Sequence, residues 1–181
     1  MRFYVEKLKE KEVVLDFSEA AESFPALDAL IQAGESRFSG PVTGRLRAFL
    51  ANSFVEVEGR VVVRVVLACS RCLKEIEAPV DTRFTLTFSA GLPPIEGGEE
   101  DEVELSAEEM GLIPFDGDEI DLREAVQEQV IMELPVRPLC EEACKGLCAH
   151  CGANLNDGDC GCSAPVFNNK FAALKGFKAE K

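Results

Sequence analysis

The chain has 181 residues, of which 46% are hydrophobic and 29% charged, a composition that excludes a wholly disordered or collagen-like protein. Its net charge of −14 lies in residues 91–134, which carry 15 acidic residues and one basic residue. No stretch approaches the roughly 18 uninterrupted apolar residues of a transmembrane helix, so we expect no membrane partner.

Residues 1–90 are predicted to form an antiparallel β-rich domain. A first strand is expected over 13–17, where apolar side chains alternate. A short helix is expected over 25–33, because Gly34 can adopt the left-handed conformation that ends a helix.

A meander of strands is predicted next. One strand covers 42–51 and is followed by a turn at Asn52-Ser53. A tight hairpin is predicted at Glu58-Gly59, before the β-branched run 61–68. Arginines alternate with apolar residues in this region, and they either contact phosphate or line the solvated face of a sheet. These arginines are Arg45, Arg47, Arg60 and Arg64.

The clearest strand is predicted over 80–89, where every second residue is apolar or threonine. Because strands are predicted on both sides, Cys69 and Cys72 are expected at a reversal between two strands.

Residues 91–119 are predicted to be an acidic loop or linker. Paired prolines, a Gly-Gly step and the acidic run 99–102 cannot bury enough apolar surface to offset the entropy of ordering. The simple interpretation is a solvated linker, and the alternative is a segment that holds a basic protein.

Residues 120–181 are predicted to contain one main helix, a Cys-rich zinc-binding module and a basic tail. The helix is expected over 121–134, with a capping-box-like start at Asp121 and Glu124. The tail is weakly amphipathic over 167–178. The predicted fold class is therefore α+β, mainly an antiparallel β-sheet with one main helix and a C-terminal zinc-knuckle module.

Eight cysteines form four short-spaced pairs, a pattern typical of two closed metal sites with four thiolates each. They are Cys69, Cys72, Cys140, Cys144, Cys148, Cys151, Cys160 and Cys162. Residues 1–7 lack the apolar core of a secretory signal, so a reducing, cytoplasmic compartment is expected and four disulfides are not. The predicted cofactor is two structural Zn²⁺ ions.

The simplest partition joins Cys69 and Cys72 to the Cys140 pair, and joins the Cys148 pair to the Cys160 pair, but spacing does not decide which pairs meet. Burial as small apolar side chains, a redox CxxC and an iron site are the alternatives. The single histidine, His150, is expected in an exposed turn, because eight thiolates already fill two sites.

No catalytic constellation accompanies the cysteines in the sequence. HExxH, P-loop and GxGxxG motifs are absent, and a Ser-His-Asp triad would have to recruit His150. We therefore expect no enzyme, no catalytic residues and no small-molecule substrate.

Six short motifs occur together at 69–72 (CSRC), 120–122 (IDL), 134–140 (LPVRPLC), 144–148 (CKGLC), 151–156 (CGANLN) and 171–174 (FAAL). As a set, over about residues 60–178, they resemble the YceD family, the large ribosomal RNA subunit accumulation proteins. The resemblance implies a non-enzymatic factor of bacteria and plastids that is needed for large-subunit ribosomal RNA (rRNA) to accumulate. It assigns no catalytic residues.

Charge limits how such a factor would act. Eight thiolates around two Zn²⁺ would bring the net charge to about −18, which disfavours strong autonomous RNA binding. The preferred hypothesis is a zinc-stabilised scaffold whose acidic segment contacts a basic ribosomal or rRNA-maturation protein, with weak secondary contacts to large-subunit rRNA. The alternative is a thiol or zinc redox sensor, or a zinc-ribbon adaptor not tied to rRNA.

Overall fold

The computed structural model describes residues 1–90 and 111–162. The chain forms two compact units. Unit 1 comprises Met1–Leu67 and Glu77–Val136, and unit 2 comprises Ala68–Ile76 and Arg137–Lys181. Within the described part of the chain, no helix has the length and apolar character needed to cross a membrane.

A six-stranded sheet dominates unit 1. The strands among the described residues are β1 (Arg2–Tyr4), β2 (Val13–Glu19), β3 (Arg37–Phe38), β4 (Val42–Ala51), β5 (Phe54–Ala68), β6 (Glu75–Ser89), β7 (Leu112–Pro114) and β8 (Glu119–Asp121). The sheet order is β2-β4-β5-β6-β7, with β3 also paired to β5. The outer ends of β5 and β6 extend into unit 2.

The sheet is mainly antiparallel, as the sequence predicted, with one parallel pair. β2 and β3 run antiparallel to β4 and β5 respectively, and β4 runs antiparallel to β5. β7 is parallel to β6. β1 and β8 form a separate antiparallel ribbon in which Phe3 lies opposite Ile120, and both side chains are buried.

Two α-helices accompany the sheet in the described residues, α1 (Pro25–Gln32) and α2 (Arg123–Met132). Two short 3-10 helices cover Val5–Lys9 and Ala21–Ser23. Leu27 of α1 and Val126 of α2 are buried in the same core as the sheet valines. The buried side chain of Gln127 accepts a hydrogen bond from the backbone N–H of Ala26 (2.9 Å). This bond satisfies one of the free N–H groups in the first turn of α1.

The predicted hairpin at Glu58-Gly59 is wrong, because β5 continues through Gly59 without interruption. Gly59 lies opposite Leu46 in the β4–β5 register, and the ring of Phe84 lies against it. A Cβ atom at this position would stand 2.8 Å from Cδ2 of Leu46 and closer still to Phe84. The glycine therefore makes room for packing inside a strand and does not form a turn.

The start of the main helix also differs from the capping-box prediction. α2 begins at Arg123 with Leu122 as its N-cap residue, and Asp121 is the last residue of β8. The Asp121 carboxylate accepts the N–H of Arg123 at 3.0 Å and a hydrogen bond from Arg2 at 2.8 Å. Pairing with β1 holds Asp121 in the strand, so it caps the helix from one position further out than a capping box requires.

Parts of two predicted segments lie outside the described residues: 91–110 of the expected acidic linker, and the tail over 167–178. The described part of the expected linker, residues 111–119, is not wholly a loop. Leu112–Pro114 forms β7 and pairs with β6.

Candidate metal centres

The structure brings the eight cysteine sulfurs together as two groups of four. One group is Cys69, Cys72, Cys140 and Cys144, and the other is Cys148, Cys151, Cys160 and Cys162. Within each group all sulfurs lie within 4.8 Å of one another. This is the simplest partition that the spacing predicted. We call the two groups the first and the second tetrad.

The first tetrad has the dimensions of a tetrahedral thiolate site. The Cys69 and Cys144 sulfurs are 3.8 Å apart, and the Cys72 and Cys140 sulfurs are 3.6 Å apart. A Zn–S bond of about 2.3 Å in tetrahedral geometry places neighbouring sulfurs about 3.8 Å apart. A disulfide would require about 2.05 Å, and all eight cysteines are free thiols.

The loop between β5 and β6 carries the first two sulfurs of this tetrad. The N–H of Leu73 donates to the carbonyl oxygen of Cys69 (2.9 Å), and the N–H of Cys69 donates to that of Lys74 (2.8 Å). The N–H of Arg71 points at Sγ of Cys69 (3.5 Å). These bonds close a tight knuckle. In it Leu73 adopts a positive φ of 62°, and its side chain is 65% exposed.

Arg71 joins this knuckle to the loop that carries Cys144. Its guanidinium donates to the carbonyl oxygens of Glu142 (3.2 Å) and Cys144 (2.8 Å), and its own carbonyl accepts the N–H of Leu147 (3.1 Å). Gly146 lies directly against Arg71, where a Cβ atom would stand 3.0 Å from the Arg71 carbonyl oxygen. Sequence reasoning missed Arg71 as a structural residue of the site, although it stands inside the CxxC motif.

Asn156 is a second residue that the sequence analysis missed. Its Nδ2 donates to Sγ of Cys144 at 3.3 Å, and its Oδ1 accepts the N–H of Lys145 at 2.7 Å. Asn154 accepts a further hydrogen bond from Nδ2 of Asn156 (2.7 Å). Asn156 therefore orients the Cys144 sulfur, a candidate metal ligand, and lowers its pKa, as outer-shell partners of metal ligands do.

The second tetrad lies on tighter turns and is more exposed. The N–H of Gly152 donates to the carbonyl of Cys148 (2.9 Å), and the N–H of His150 points at Sγ of Cys148 (3.5 Å). Cys151 and Cys162 are exposed, whereas the first tetrad has three buried cysteines. The side chain of His150 is exposed and the residue is not in the tetrad, as expected for a turn residue.

Hydrogen bonds lower the pKa of Cys69 and Cys144 in the first tetrad and of Cys148 in the second. Burial raises the pKa of Cys69, but hydrogen bonds from the backbone N–H groups of Arg71 and Cys72 outweigh burial and lower that pKa to about 6. In the second tetrad, backbone N–H groups of Cys151 and His150 lower the pKa of Cys148 to about 6.

The opposite shift appears at another sulfur of each tetrad. Interaction with the Cys144 sulfur, together with burial, raises the pKa of Cys140 to about 12. Interaction with the Cys151 and Cys160 sulfurs raises the pKa of Cys162 to about 12. Holding all four sulfurs of a tetrad as thiolates at these separations would require a cation between them, and a set of four sulfurs suits a borderline-soft ion such as Zn²⁺.

The four arginines weighed as a phosphate-contacting face are each paired with a carboxylate in the sheet. The pairs are Arg45–Asp16 (3.8 Å), Arg47–Glu12 (2.7 Å), Arg47–Glu58 (3.2 Å), Arg60–Asp81 (2.6 Å) and Arg64–Glu77 (3.3 Å). The Arg60 guanidinium holds the pKa of the Asp81 carboxyl below its usual value. This arrangement favours the interpretation of a solvated sheet face, because a carboxylate lies beside each arginine.

The family profile described as "Large ribosomal RNA subunit accumulation protein YceD" matches residues 57–178, a range that contains all eight cysteines. The chain belongs to the YceD family. No solved structure matches this YceD-family chain significantly.

Curated relatives show the same relationship at modest identity. The Arabidopsis thaliana protein named "Large ribosomal RNA subunit accumulation protein YCED homolog 1, chloroplastic" is 27% identical over 128 residues, 60% of this chain and 39% of the relative. An uncharacterised Mycobacterium tuberculosis protein is 33% identical over 111 residues, 61% of this chain and 49% of the relative. The YceD-family chain therefore matches about two fifths to one half of the length of these relatives.

Proposed function

We propose that this chain is a non-enzymatic cytoplasmic factor that supports the accumulation or maturation of large-subunit rRNA. It acts as a scaffold stabilised by two Zn²⁺ ions and contacts a basic ribosomal or rRNA-maturation protein. The observation that carries the proposal is the YceD match over residues 57–178, because it joins the family's rRNA role to the segment that holds both tetrads.

The donor sets support a structural role for the metal. Each tetrad offers four sulfurs, so a tetrahedral Zn²⁺ bound there would keep no position for water or substrate. The proposed ligands of one ion come from the β5–β6 loop and from residues 140–144, which are distant in sequence. Zinc binding would therefore contribute directly to the folding of unit 2.

Electrostatics support a basic protein as the main partner. The net charge is −14, and the sheet arginines are paired with carboxylates, which leaves little uncompensated positive charge on that face for a phosphate backbone. Contact with large-subunit rRNA is accordingly proposed as weak and secondary.

A thiol or zinc redox sensor is the second candidate. The observation that favours it is the exposure of Cys151 and Cys162 in the second tetrad, because oxidants reach exposed thiolates first. A sensor would release zinc under mild peroxide and change its partner binding as it does so.

The test of the proposed function is complementation of a bacterial strain that lacks its YceD-family gene. The wild-type chain should restore the ratio of large- to small-subunit rRNA, and so should the control variant His150→Asn. The double variant Cys69→Ser with Cys72→Ser should fail. Failure of the wild-type chain to restore the ratio would refute the rRNA role, and failure of a folded, zinc-loaded His150→Asn variant would reveal a catalytic or recognition role.

A further inference from the structure

A groove of about 510 Å³ lies in unit 1 between β7 and α2. Its apolar lining includes Phe88, Leu112, Ile113, Phe115 and Ala125. The volume falls in the range of about 300–1,000 Å³ that is typical of binding pockets. β7 is the last strand in the sheet order, so one of its edges faces none of the described strands. We call this feature the β7–α2 groove.

Carboxylates form the polar part of the groove. Glu119 and Asp121 lie on one side and both pair with Arg2. Glu124 and Glu128 lie on α2, are exposed, and have no ion-pair partner among residues 1–90 and 111–162.

The spacing of the two unpaired glutamates is informative. Residues four apart share one face of a helix, and like charges at this spacing destabilise it. Among residues 1–90 and 111–162, no cation pairs with Glu124 and Glu128, so within this part of the chain they place a negative pair along an apolar groove. Residues 91–110, which precede β7, contain no lysine or arginine and cannot supply the missing cation.

An exposed apolar side chain, that of Met132, lies further along the same face of α2. Met132 lies four residues after Glu128 and is 77% exposed. Methionine adapts its shape to different apolar partners, and it is common at protein-binding surfaces. Glu124, Glu128 and Met132 thus follow one another at four-residue intervals along one face of α2.

We propose that the β7–α2 groove binds a basic segment of a partner protein in which apolar side chains alternate with lysine or arginine. The apolar side chains enter between β7 and α2, and the cations meet Glu124 and Glu128. RNA does not fit this surface, because the carboxylates of the groove repel phosphate. The inference rests on the proposed function and assigns the docking site of the basic partner within it.

The test uses the zinc-loaded full chain and two labelled synthetic nonapeptides, one alternating lysine with leucine and one alternating lysine with serine. Binding is followed by fluorescence anisotropy at about 0.05 M salt, where exposed charges are weakly screened. The groove variant is Glu124→Lys with Glu128→Lys. The matched control is Glu22→Lys with Glu35→Lys, which changes the net charge equally at exposed positions outside the groove.

We expect the groove variant to bind the lysine–leucine peptide at least about tenfold more weakly than wild type, and the control variant to change affinity less than about twofold. Wild type should bind the lysine–serine peptide at least about tenfold more weakly than the lysine–leucine peptide, because serine leaves the apolar lining unfilled. If the groove variant fails to fold, Glu124→Gln with Glu128→Gln gives the same comparison with a smaller change.

Three results would overturn the inference. The first is an equal loss of affinity in the groove and control variants, which would mean attraction to net charge alone. The second is a loss only when Glu99, Glu100, Asp101 and Glu102 are replaced by serine, which would place docking in the acidic run. The third is a wild-type dimer that the groove variant converts to monomers, which would make a second copy the occupant.

The same variants separate this inference from the proposed function. Peptide binding that depends on the groove, in a chain that does not restore rRNA in the deletion strain, supports the docking site and refutes the rRNA role. If the chain restores rRNA and the groove variant binds the peptide as tightly as wild type does, the docking site alone is refuted.

Discussion

The side-chain Nδ2 of Asn156 donates a hydrogen bond to Sγ of Cys144 at 3.3 Å. Asn156 lies in the loop between Cys151 and Cys160, two cysteines of the second tetrad, whereas Cys144 belongs to the first. The loop that connects the sulfurs of one tetrad thus stabilises a sulfur of the other. The Asn156 side chain is therefore one of the links between the two candidate centres, beside the backbone hydrogen bonds of Cys148 with Ala153 and of Leu155 with Gly146.

Replacing Asn156 with alanine should weaken zinc binding in the first tetrad by about 10- to 100-fold, the usual cost of losing an outer-shell partner. Competition with a chromophoric chelator measures this affinity. Asp157→Ala is the control, because the neighbouring Asp157 side chain is exposed. Equal affinities for Asn156→Ala and wild type would show that the N–H···S bond does not hold the ligand.

Protein purified without added metal should contain about two zinc ions per chain by elemental analysis, one for each tetrad. The double variant Cys69→Ser with Cys72→Ser should retain one ion, and so should Cys148→Ser with Cys151→Ser. A zinc content near zero in wild type, with eight titratable thiols, would refute the metal proposal. Retention of two ions in either variant would refute the partition.

Mild peroxide should modify the second tetrad before the first, because Cys151 and Cys162 are exposed whereas Cys69, Cys72 and Cys144 are buried. Alkylation of the remaining thiols followed by peptide mass spectrometry gives the order of modification. The zinc ion that is released earlier should be the one bound by the second tetrad, and its release should accompany oxidation of that tetrad. Simultaneous oxidation of both groups would mean that burial does not protect the first one.

Leu73→Gly should stabilise the zinc-loaded protein by about 0.5–1 kcal/mol. Leu73 has a φ of 62°, a left-handed conformation that costs a leucine about 1–2 kcal/mol, whereas glycine tolerates it. Part of the gain is offset by the greater freedom of glycine in the unfolded chain. Urea unfolding measures the difference, with Leu73→Ala as the control that keeps the strain; an equal effect of both substitutions would contradict this explanation.

Asp121 should contribute stability that is lost in acid. Burial raises its pKa, but the backbone N–H of Arg123 and the side chain of Arg2 outweigh burial, so the pKa in the folded state lies below the unfolded value of about 3.9. Its contribution is therefore present above that value and declines as the pH falls through the folded pKa. The stability difference between wild type and Asp121→Asn in urea unfolding should be largest near neutral pH and shrink below pH 4; a constant difference would exclude this linkage.

Local patterns in the sequence predicted the parts of the structure that depend on local chemistry. The alternation over 80–89 lies within β6, and the short intervals between cysteines predicted four thiol pairs and, as the simplest partition, the two tetrads; which pairs share a site is given by the structure and not by the spacing. The Glu58-Gly59 hairpin failed for the opposite reason. What decides that position is the ring of Phe84 on a neighbouring strand, which a local rule does not contain.

The same limit explains what was missed at the site and in the groove. Arg71 acts on carbonyl groups about 70 residues away in sequence, at Glu142 and Cys144. The β7–α2 groove combines Phe88 with residues 112–128, and its form depends on the parallel pairing of β6 with β7. Such long-range pairings leave no periodic mark in a single sequence.

The sulfurs of the first tetrad are synthesised at widely separated times. Cys72 and Cys140 are 68 positions apart, so the first pair of sulfurs leaves the ribosome long before its partners exist. At about 5–20 residues per second the interval lasts roughly 3–14 s. During that time Cys69 and Cys72 are unprotected thiols on a nascent hairpin. The four sulfurs of this tetrad can meet only after residue 144 has emerged, so an ion bound there would enter late, when most of unit 1 has already been made.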